Sequence, residues 1–462
     1  MGATRSDFVH KAYIERCETL QDACPYEPLS YVEGLLERSL GRPVREVFRH
    51  IDAVPLGSAS IGQVHRAVLL DGRQVAVKVQ YPRVEALFRG DLRTIRRFAA
   101  MAQPEHLTVL DEVERAFLTE FDFQREADAL QQVADAVDRS PFSRAVTVPR
   151  PLRELCRKDV LVMEYLPGIK LVDALRERAT ALAASRGMTL AQLRDEWAAS
   201  SAAAGTGSGG LPTAPRAASP WHRAALRAAL VASDAAHNAP LRLRNLAARA
   251  FGKRLAPLRA TPPPVDIESV LALLAEVHAR QLFVDGLFNG DWCVNEKPRA
   301  YACALLTPST RSHPGNVLML PDGRLGLIDY GQAKRMTLQE RFKLARLVLA
   351  LADGRREDSV RLFRACGYVT QHSDDDLAYR AAVIAFDRDD REITGGINVQ
   401  AWFERQARLD PCLHWPEEYV MASRNTLLLR GMGIVLGRPI SVAQAWRPTA
   451  EAFLKAHKEP LR

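Results

Sequence analysis

The segment from Val64 to Gln80 leaves the fewest choices. Val64 to Leu70 and Gln74 to Gln80 are runs rich in β-branched residues, and Asp71-Gly72-Arg73 stands between them. An Asp-Gly step between such runs is a strong short-range signal for a β-hairpin. The second run, Val75-Ala76-Val77-Lys78, carries a lysine inside an apolar strand. Lysines in that setting commonly lie on an edge or lead the ammonium out to water along their own stem. The upstream context favours another use. Pro55-Leu56-Gly57-Ser58-Ala59-Ser60-Ile61-Gly62-Gln63-Val64 is a run of small residues leading into the first strand, where backbone N–H groups can approach phosphate oxygens unobstructed. Alone this is an ordinary turn; with a strand lysine one hairpin later, it fits a phosphate-binding pair of strands.

The rest of the chain is read around this hairpin. Residues 1 to 50 read as helices, with Tyr31, Leu35, Leu36 and Leu40 at helical spacing and Gly41-Arg42-Pro43 as the stop. A long helix is expected from Glu105 to Val137, with Val113, Phe117 and Phe121 at four-residue intervals. Val146 to Pro149 and Val160 to Met163 read as two further strands of the same small mixed lobe. From Arg178 to Pro264 the composition turns to Ala, Arg, Gly and Ser, and its middle is a flexible linker by composition. Between Arg216 and Arg259 eight arginines and Lys253 face the single acid Asp234. That pattern suits a basic membrane-surface helix containing Arg242, Arg244, Arg249, Lys253 and Arg254, and equally a solvated arginine-rich insert. After Pro262-Pro263-Pro264 the helical pattern resumes at Ile267 and dominates to the end.

Composition excludes some classes. With 462 residues, 47% hydrophobic and 26% charged, the chain is globular in character and long enough for two lobes sharing one cleft. Seven cysteines without a C-x-x-C pair argue against a disulfide scaffold or a structural zinc site. No apolar run approaches the roughly 20 residues of a membrane span, since the best, Leu347 to Ala352, stops at Asp353. A net charge of +8 favours anionic partners without choosing among nucleotides, acidic headgroups and nucleic acid. Nucleic acid ranks last, because the arginines lack interleaved aromatics.

A strand lysine that grips phosphates needs a carboxylate to orient it. Glu120-Phe121-Asp122-Phe123-Gln124-Arg125-Glu126 offers three, with Asp122 and Glu126 one helical turn apart, where they repel unless a cation lies between or beside them. A solvated acidic helix face is the plainer alternative. Leu161 to Glu164, ending at Tyr165-Leu166-Pro167-Gly168, has the form of a strand whose end offers backbone groups to an adenine. Gly323-Arg324-Leu325-Gly326-Leu327-Ile328-Asp329-Tyr330-Gly331 is an apolar strand delivering an aspartate beside a glycine. Such an aspartate can hold Mg²⁺ on bound phosphates, or simply end a strand.

Asn289-Gly290-Asp291-Trp292 and His313-Pro314-Gly315-Asn316-Val317-Leu318 complete the set. Joined, they read N-G-D-W-H-P-G-N-V-L, closely similar to the catalytic loop of the UbiB/aarF-domain atypical kinases. In ordinary kinases the catalytic aspartate precedes the metal-binding asparagine by five positions. Asp291 precedes Asn316 by 25, and removing the 20 residues from Cys293 to Ser312 restores five. That segment therefore reads as an insertion into a normal loop, a retained intron being one origin for it. The resemblance runs from about Thr4 to Phe453, loosely across the linker, and includes Leu429-Arg430-Gly431-Met432-Gly433.

The resemblance implies an α+β, bilobal protein-kinase-like fold with a small mixed N-lobe and a mostly helical C-lobe. Its divisions would be a helical extension at 1–50, the N-lobe and hinge at 51–168, the start of the C-lobe with the Ala/Arg-rich insert at 169–265, and the C-lobe at 266–462. It further implies ATP and Mg²⁺ as ligands. Gly57, Ser58, Ala59 and Ser60 would form the phosphate loop, Lys78 would pair with Glu126, and Glu164 and Leu166 would line the adenine site. Asp291 would be the catalytic aspartate, and Asn316 and Asp329 would hold the metal. Glu120 and Asp122 would form a second acidic motif. The expected activity is phosphoryl transfer or ATP hydrolysis in isoprenoid-quinone or organelle lipid metabolism, in chloroplast or mitochondrion, with a lipid, a quinone precursor or a protein as acceptor. A pseudokinase scaffold is the alternative, favoured by the split loop. Three departures stand out. Gly57 and Ser58 replace part of an alanine-rich loop, the hallmark K-x-G-Q motif is missing so that the chain reads as truncated at its start, and the insertion separates Asp291 from His313.

Overall fold

The computed structural model describes residues 26–58, 61–102, 120–171, 267–289, 316–397, 399–435 and 440–460, with scattered positions between 114 and 118 and between 173 and 245. Helix α1, Leu29–Leu40, turns Val32, Leu35 and Leu36 inward and ends at Gly41, whose φ of 70° is left-handed. The helical reading of residues 1 to 50 applies only to this part. Residues 1–25 lie outside the described residues, and Phe48–Ile51 is strand β1.

Strands β2, Gly57–Ser58, β3, Gly62–Leu69, and β4, Gln74–Gln80, follow. The β3–β4 turn places Gly72 at φ 89°, the conformation an Asp-Gly step supplies readily. Strand β4 is central, with β3 antiparallel on one side and Val160–Glu164 antiparallel on the other. Its alternate residues therefore serve two different cores. Val75, Val77 and Val79 pack beneath α1 and β1 in the smaller one. Ala76 belongs to the larger core, and Lys78, two residues on, shares its face.

That face is covered by a helix, though not the one expected. Helix α2 is Val84–Ala102 and α3 is Phe123–Asp138. The continuous helix from Glu105 to Val137 does not form, because Asp122 takes extended backbone angles and its side chain accepts the Gln124 N–H as the N-cap of α3. Asp122 therefore spends its carboxylate on the helix end instead of facing inward with Glu126. Of the apolar series, Phe121 is buried against Phe88, whereas Val113 and Phe117 lie outside the described residues.

Strand β5, Val146–Thr147, also departs from expectation. It does not join the sheet of β6, Val160–Glu164. After β7, Ile169–Lys170, helix α4, Ile267–Arg280, runs into one wide π turn, and β8 is Leu287–Asn289. Strands β9, Val317–Met319, and β10, Leu325–Leu327, form a second sheet in the order β5-β10-β9-β7, in which β5 and β10 are parallel. Strand β11, Ala333–Arg335, pairs with β8. Helices α5, Leu338–Ala352, α6, Arg356–Ala365, α7, Asp375–Phe386, α8, Val399–Leu409, α9, Glu417–Val435, and α10, Val442–Ala456, complete the helical part. The apolar run Leu347 to Ala352 is the end of α5, which packs on α10 and α6 in the large core. Among the described residues no helix is long and apolar enough to cross a membrane. Of the basic run, Arg242 and Arg244 occupy helical positions, and Arg249, Lys253 and Arg254 lie outside the described residues.

Gly62 opens β3 opposite Gln80, and a Cβ there would stand 2.2 Å from the Val79 carbonyl oxygen. Since neither central strand can shift without disturbing both cores, Gly62→Ala is expected to cost about 1–3 kcal/mol of stability. Urea unfolding checks this; an unchanged midpoint would mean that the two strands do not approach this closely.

Candidate active site

Lys78 and Glu126 meet because β4 and α3 each have one face turned to the same core. Glu126 lies on the buried side of α3 with Phe123, Ala127 and Leu130. Lys78 Nζ donates to both carboxylate oxygens, at 2.9 and 2.8 Å, and the two side chains are 14% and 3% exposed. The ammonium also lies 4.9 Å from the centre of the Phe123 ring. A pair this deep brings little net stability, but removing one partner strands the other charge, at a cost of about 3–5 kcal/mol.

Asp329 reaches the same place from β10. The Ile328 N–H donates to the Asn316 carbonyl at 3.1 Å, the Asn289 side-chain amide donates to the Asp329 carbonyl at 2.6 Å, and the Asp329 carboxylate accepts the Gly331 N–H at 3.0 Å. These bonds fix the strand end and hold the carboxylate in a local turn. A Cβ on Gly331 would lie 3.5 Å from both an Asp329 and a Glu126 carboxylate oxygen, in ordinary contact with each, so the two acids stand on either side of this residue. Tyr330 is buried, and its hydroxyl accepts a hydrogen bond from Gln281 at 2.9 Å. A third acid, Glu120, accepts a hydrogen bond from the Gln332 side chain.

The lysine thus faces more carboxylate than it can neutralise. Burial pulls the Lys78 ammonium down, but Glu126, Asp329 and Glu120 together outweigh it and hold its pKa above the ordinary lysine value. Burial pushes Glu126 up, opposed by Lys78 and reinforced by Asp329. Glu120 is pushed up to about 7, first by burial, with the Gln332 hydrogen bond opposing and Asp329 adding to the rise. Among the described residues no group of three or more His, Cys, Asp or Glu side chains is arranged to hold a metal alone. Magnesium in a phosphate site takes one or two protein carboxylates and completes its shell with phosphate oxygens and water. Asp329 with Asn316, on adjacent strand ends within a surplus of negative charge, fits that demand.

The remaining predicted residues are distributed as follows. Gly57 and Ser58 form β2 and pair with Val64 and Gln63 beside the Lys78 strand, whereas Ala59 and Ser60 lie outside the described residues. Glu164 ends β6, its carboxylate accepts the Arg150 N–H at 3.0 Å and its own N–H donates to the Arg150 carbonyl at 3.0 Å, so both its side chain and its N–H are engaged. The Leu166 carbonyl accepts the Gly168 N–H at 2.9 Å, and its side chain lies where a Cβ on Gly326 would be only 3.0 Å away. Gly168 in turn sits against β9, where a Cβ would meet Leu318, Met319 and Leu320 at 2.9 Å. Asp291, the insertion 293–312 and His313 to Gly315 lie outside the described residues. Asn425, on α9, was not singled out from the sequence, yet it donates to the Asn289 carbonyl at 2.8 Å and braces the strand that leads to Asp291. Nothing local in the helix signals it.

Three comparisons bear on this arrangement. Residues 19–191 match the ABC1 atypical kinase-like domain. AarF domain-containing protein kinase 1 of Xenopus laevis is 36% identical over 166 residues, covering 35% of this chain and 31% of that protein. Probable protein kinase UbiB of Marinobacter nauticus is 33% identical over 179 residues, covering 37% of this chain and 32% of that protein. The matches to these relatives thus span about a third of their length. The solved structure of Rv3197 from Mycobacterium tuberculosis, in complex with erythromycin, superposes over 97% of this chain and 88% of its own with a TM-score of 0.54 at 20% identity. The bilobal α+β kinase-like fold expected from the motifs is borne out, and so is the family resemblance.

The Glu120 shift fixes a sign for stability. Folded Glu120 keeps its proton where an unfolded carboxyl, near 4.5, has lost it. The stability this contributes is complete below that value and lost as pH rises through about 7. The loss amounts to at most roughly 3 kcal/mol before solvent screening is allowed for. Glu120→Gln is expected to flatten the fall, measured by urea unfolding in EDTA; identical pH slopes for both proteins would show that this carboxyl titrates normally.

Proposed function

We propose, from the premise that the chain is a relative of the UbiB/aarF atypical kinases, that it binds Mg·ATP between its lobes and transfers or hydrolyses the terminal phosphate. The observation that carries this is the bidentate Lys78–Glu126 pair with Asp329 beside it. Glu126 orients the ammonium of Lys78 toward the α and β phosphates. Asp329 and Asn316 would hold Mg²⁺, which would supply positive charge to neutralise the phosphates. Without such a cation the surplus of carboxylate around Lys78 would repel a triphosphate, so the site's own charge balance makes nucleotide binding metal-dependent. Asp291 orients the attacking hydroxyl or water. Backbone groups of Gly57 to Ser60 approach the phosphates, and those of Glu164 and Leu166 receive the adenine. The acceptor is a lipid, a quinone precursor or a protein within isoprenoid-quinone or organelle lipid metabolism. Contact with a membrane surface would run through the basic insert.

The 25-position separation of Asp291 and Asn316 favours a second reading, a nucleotide-binding scaffold without turnover. Thermal-shift titration with Mg·ATP and Mg·ADP, paired with a phosphate-release assay, on the whole chain and on a version lacking residues 293–312, separates the two. Nucleotide binding with turnover only in the shortened form would support the scaffold reading.

Lys78→Ala is expected to weaken nucleotide binding by about tenfold or more, and Asp329→Asn to weaken it by a similar factor only when Mg²⁺ is present. Unchanged affinity in both variants would sink the reading.

A further inference from the structure

A second cavity, of about 410 Å³, opens on the side of α3 next to the one that carries Glu126. One wall is the Arg125, Ala129 and Gln132 edge of α3 with Asp128 beside it, and the other is the chain from Tyr330 to Arg335. Lys78, Glu126 and Asp329 do not line it, whereas Gly331 and Gln332, which adjoin the acids of the candidate site, do, so the cavity lies next to that site. Its floor is apolar, with Ala129 on α3, Leu287 on β8 and Met421 on α9. Basic residues belong to both walls, Arg125 to α3 and Lys334 and Arg335 to β11. The one acid, Asp128, is engaged outside by Arg153 at 2.7 Å, which offsets its charge. Arg335 already reaches across to the Gln132 side chain, so both walls are within reach of one small molecule.

We infer that this cavity is a regulatory site for a small phosphate monoester with an apolar body. The volume lies in the range of small-molecule sites. The phosphate takes charge-assisted hydrogen bonds from Arg125 on α3 and from Arg335 on β11. The organic part covers Leu287 and Met421. Such a ligand ties α3 to the segment that follows Asp329. It thereby favours the arrangement in which Glu126, one residue from Arg125, holds Lys78 and in which Asp329 stands beside them. Nucleotide and phosphate monoester should then strengthen each other's binding, by equal factors in the two directions. That coupling rests on the function proposed above, whereas the site itself does not.

Isothermal titration of the full chain with phenyl phosphate, inorganic phosphate and phenol, each with and without saturating Mg·ADP, tests this. Phenyl phosphate is expected to bind saturably, inorganic phosphate more weakly, and phenol not at all at the same concentrations. Arg125→Ser and Arg335→Ser should each weaken phenyl phosphate by about tenfold or more. Asp128→Asn, which removes an exposed negative charge and releases Arg153 from its surface ion pair, should tighten it and serves as the variant least exposed to folding failure. Binding that persists in Arg125→Ser, is lost in Lys78→Ala and is displaced by Mg·ADP would place the anion in the nucleotide cleft and overturn the inference. So would Mg·ADP binding with no response to phenyl phosphate. Arg125-dependent binding of phenyl phosphate in a chain that ignores Mg·ADP would uphold this site and defeat the nucleotide reading.

Discussion

The buried ion pair between Lys78 and Glu126 sets the terms for the rest of the structure. An ammonium and a carboxylate removed from water cost more in lost hydration than their attraction returns unless the geometry is close to ideal. Here it is, with both carboxylate oxygens engaged by one nitrogen. The pair needs a central strand to carry the lysine, a helix packed face-on to carry the acid, and apolar neighbours that exclude water without crowding either group. Strand β4 meets the first condition by lying between two antiparallel neighbours, and α3 meets the second by packing Phe123, Ala127 and Leu130 around Glu126. A chain that only needed stability would have gained as much from two leucines, so the pair points to chemistry at its exposed side.

What surrounds the pair supports that. Asp329 and Glu120 add negative charge where one lysine cannot balance it. Folded proteins rarely keep like charges together in partial burial unless something else enters. The demand is for a cation, and a cation there demands an anion in turn. The magnesium and triphosphate of the proposed function would satisfy both.

Much of this was legible because the signals are local and periodic. The Asp-Gly turn and the alternation of Val75, Val77 and Val79 fix the hairpin and the face of Lys78 before any fold is known. Asp329 is legible because an apolar strand followed by Asp-x-Gly has few uses. The failures are non-local or depend on one side chain choosing between two bonds. Asp122 could have faced inward or capped a helix, and the competing hydrogen bond to the Gln124 N–H decided it. Asn425 braces Asn289 from 136 positions away, and no window along the chain contains both.

The misplaced strand β5 shows best why the site holds together. Read as part of the first sheet, it would have been a spare edge. In the structure it follows α3 after a short turn and pairs in parallel with β10, Val146 beside Leu325 and Thr147 beside Gly326. Strand β10 then runs directly into Asp329. The helix that carries Glu126 and the strand that delivers Asp329 are thus joined by backbone hydrogen bonds as well as by side chains, and a shift of α3 along its axis would have to drag β5 past β10 or break that pairing. Parallel pairing of so short a strand is weak by itself. Here it needs only to couple two elements already packed in one core, which keeps the two acids in register around Lys78 whether or not a ligand lies between them.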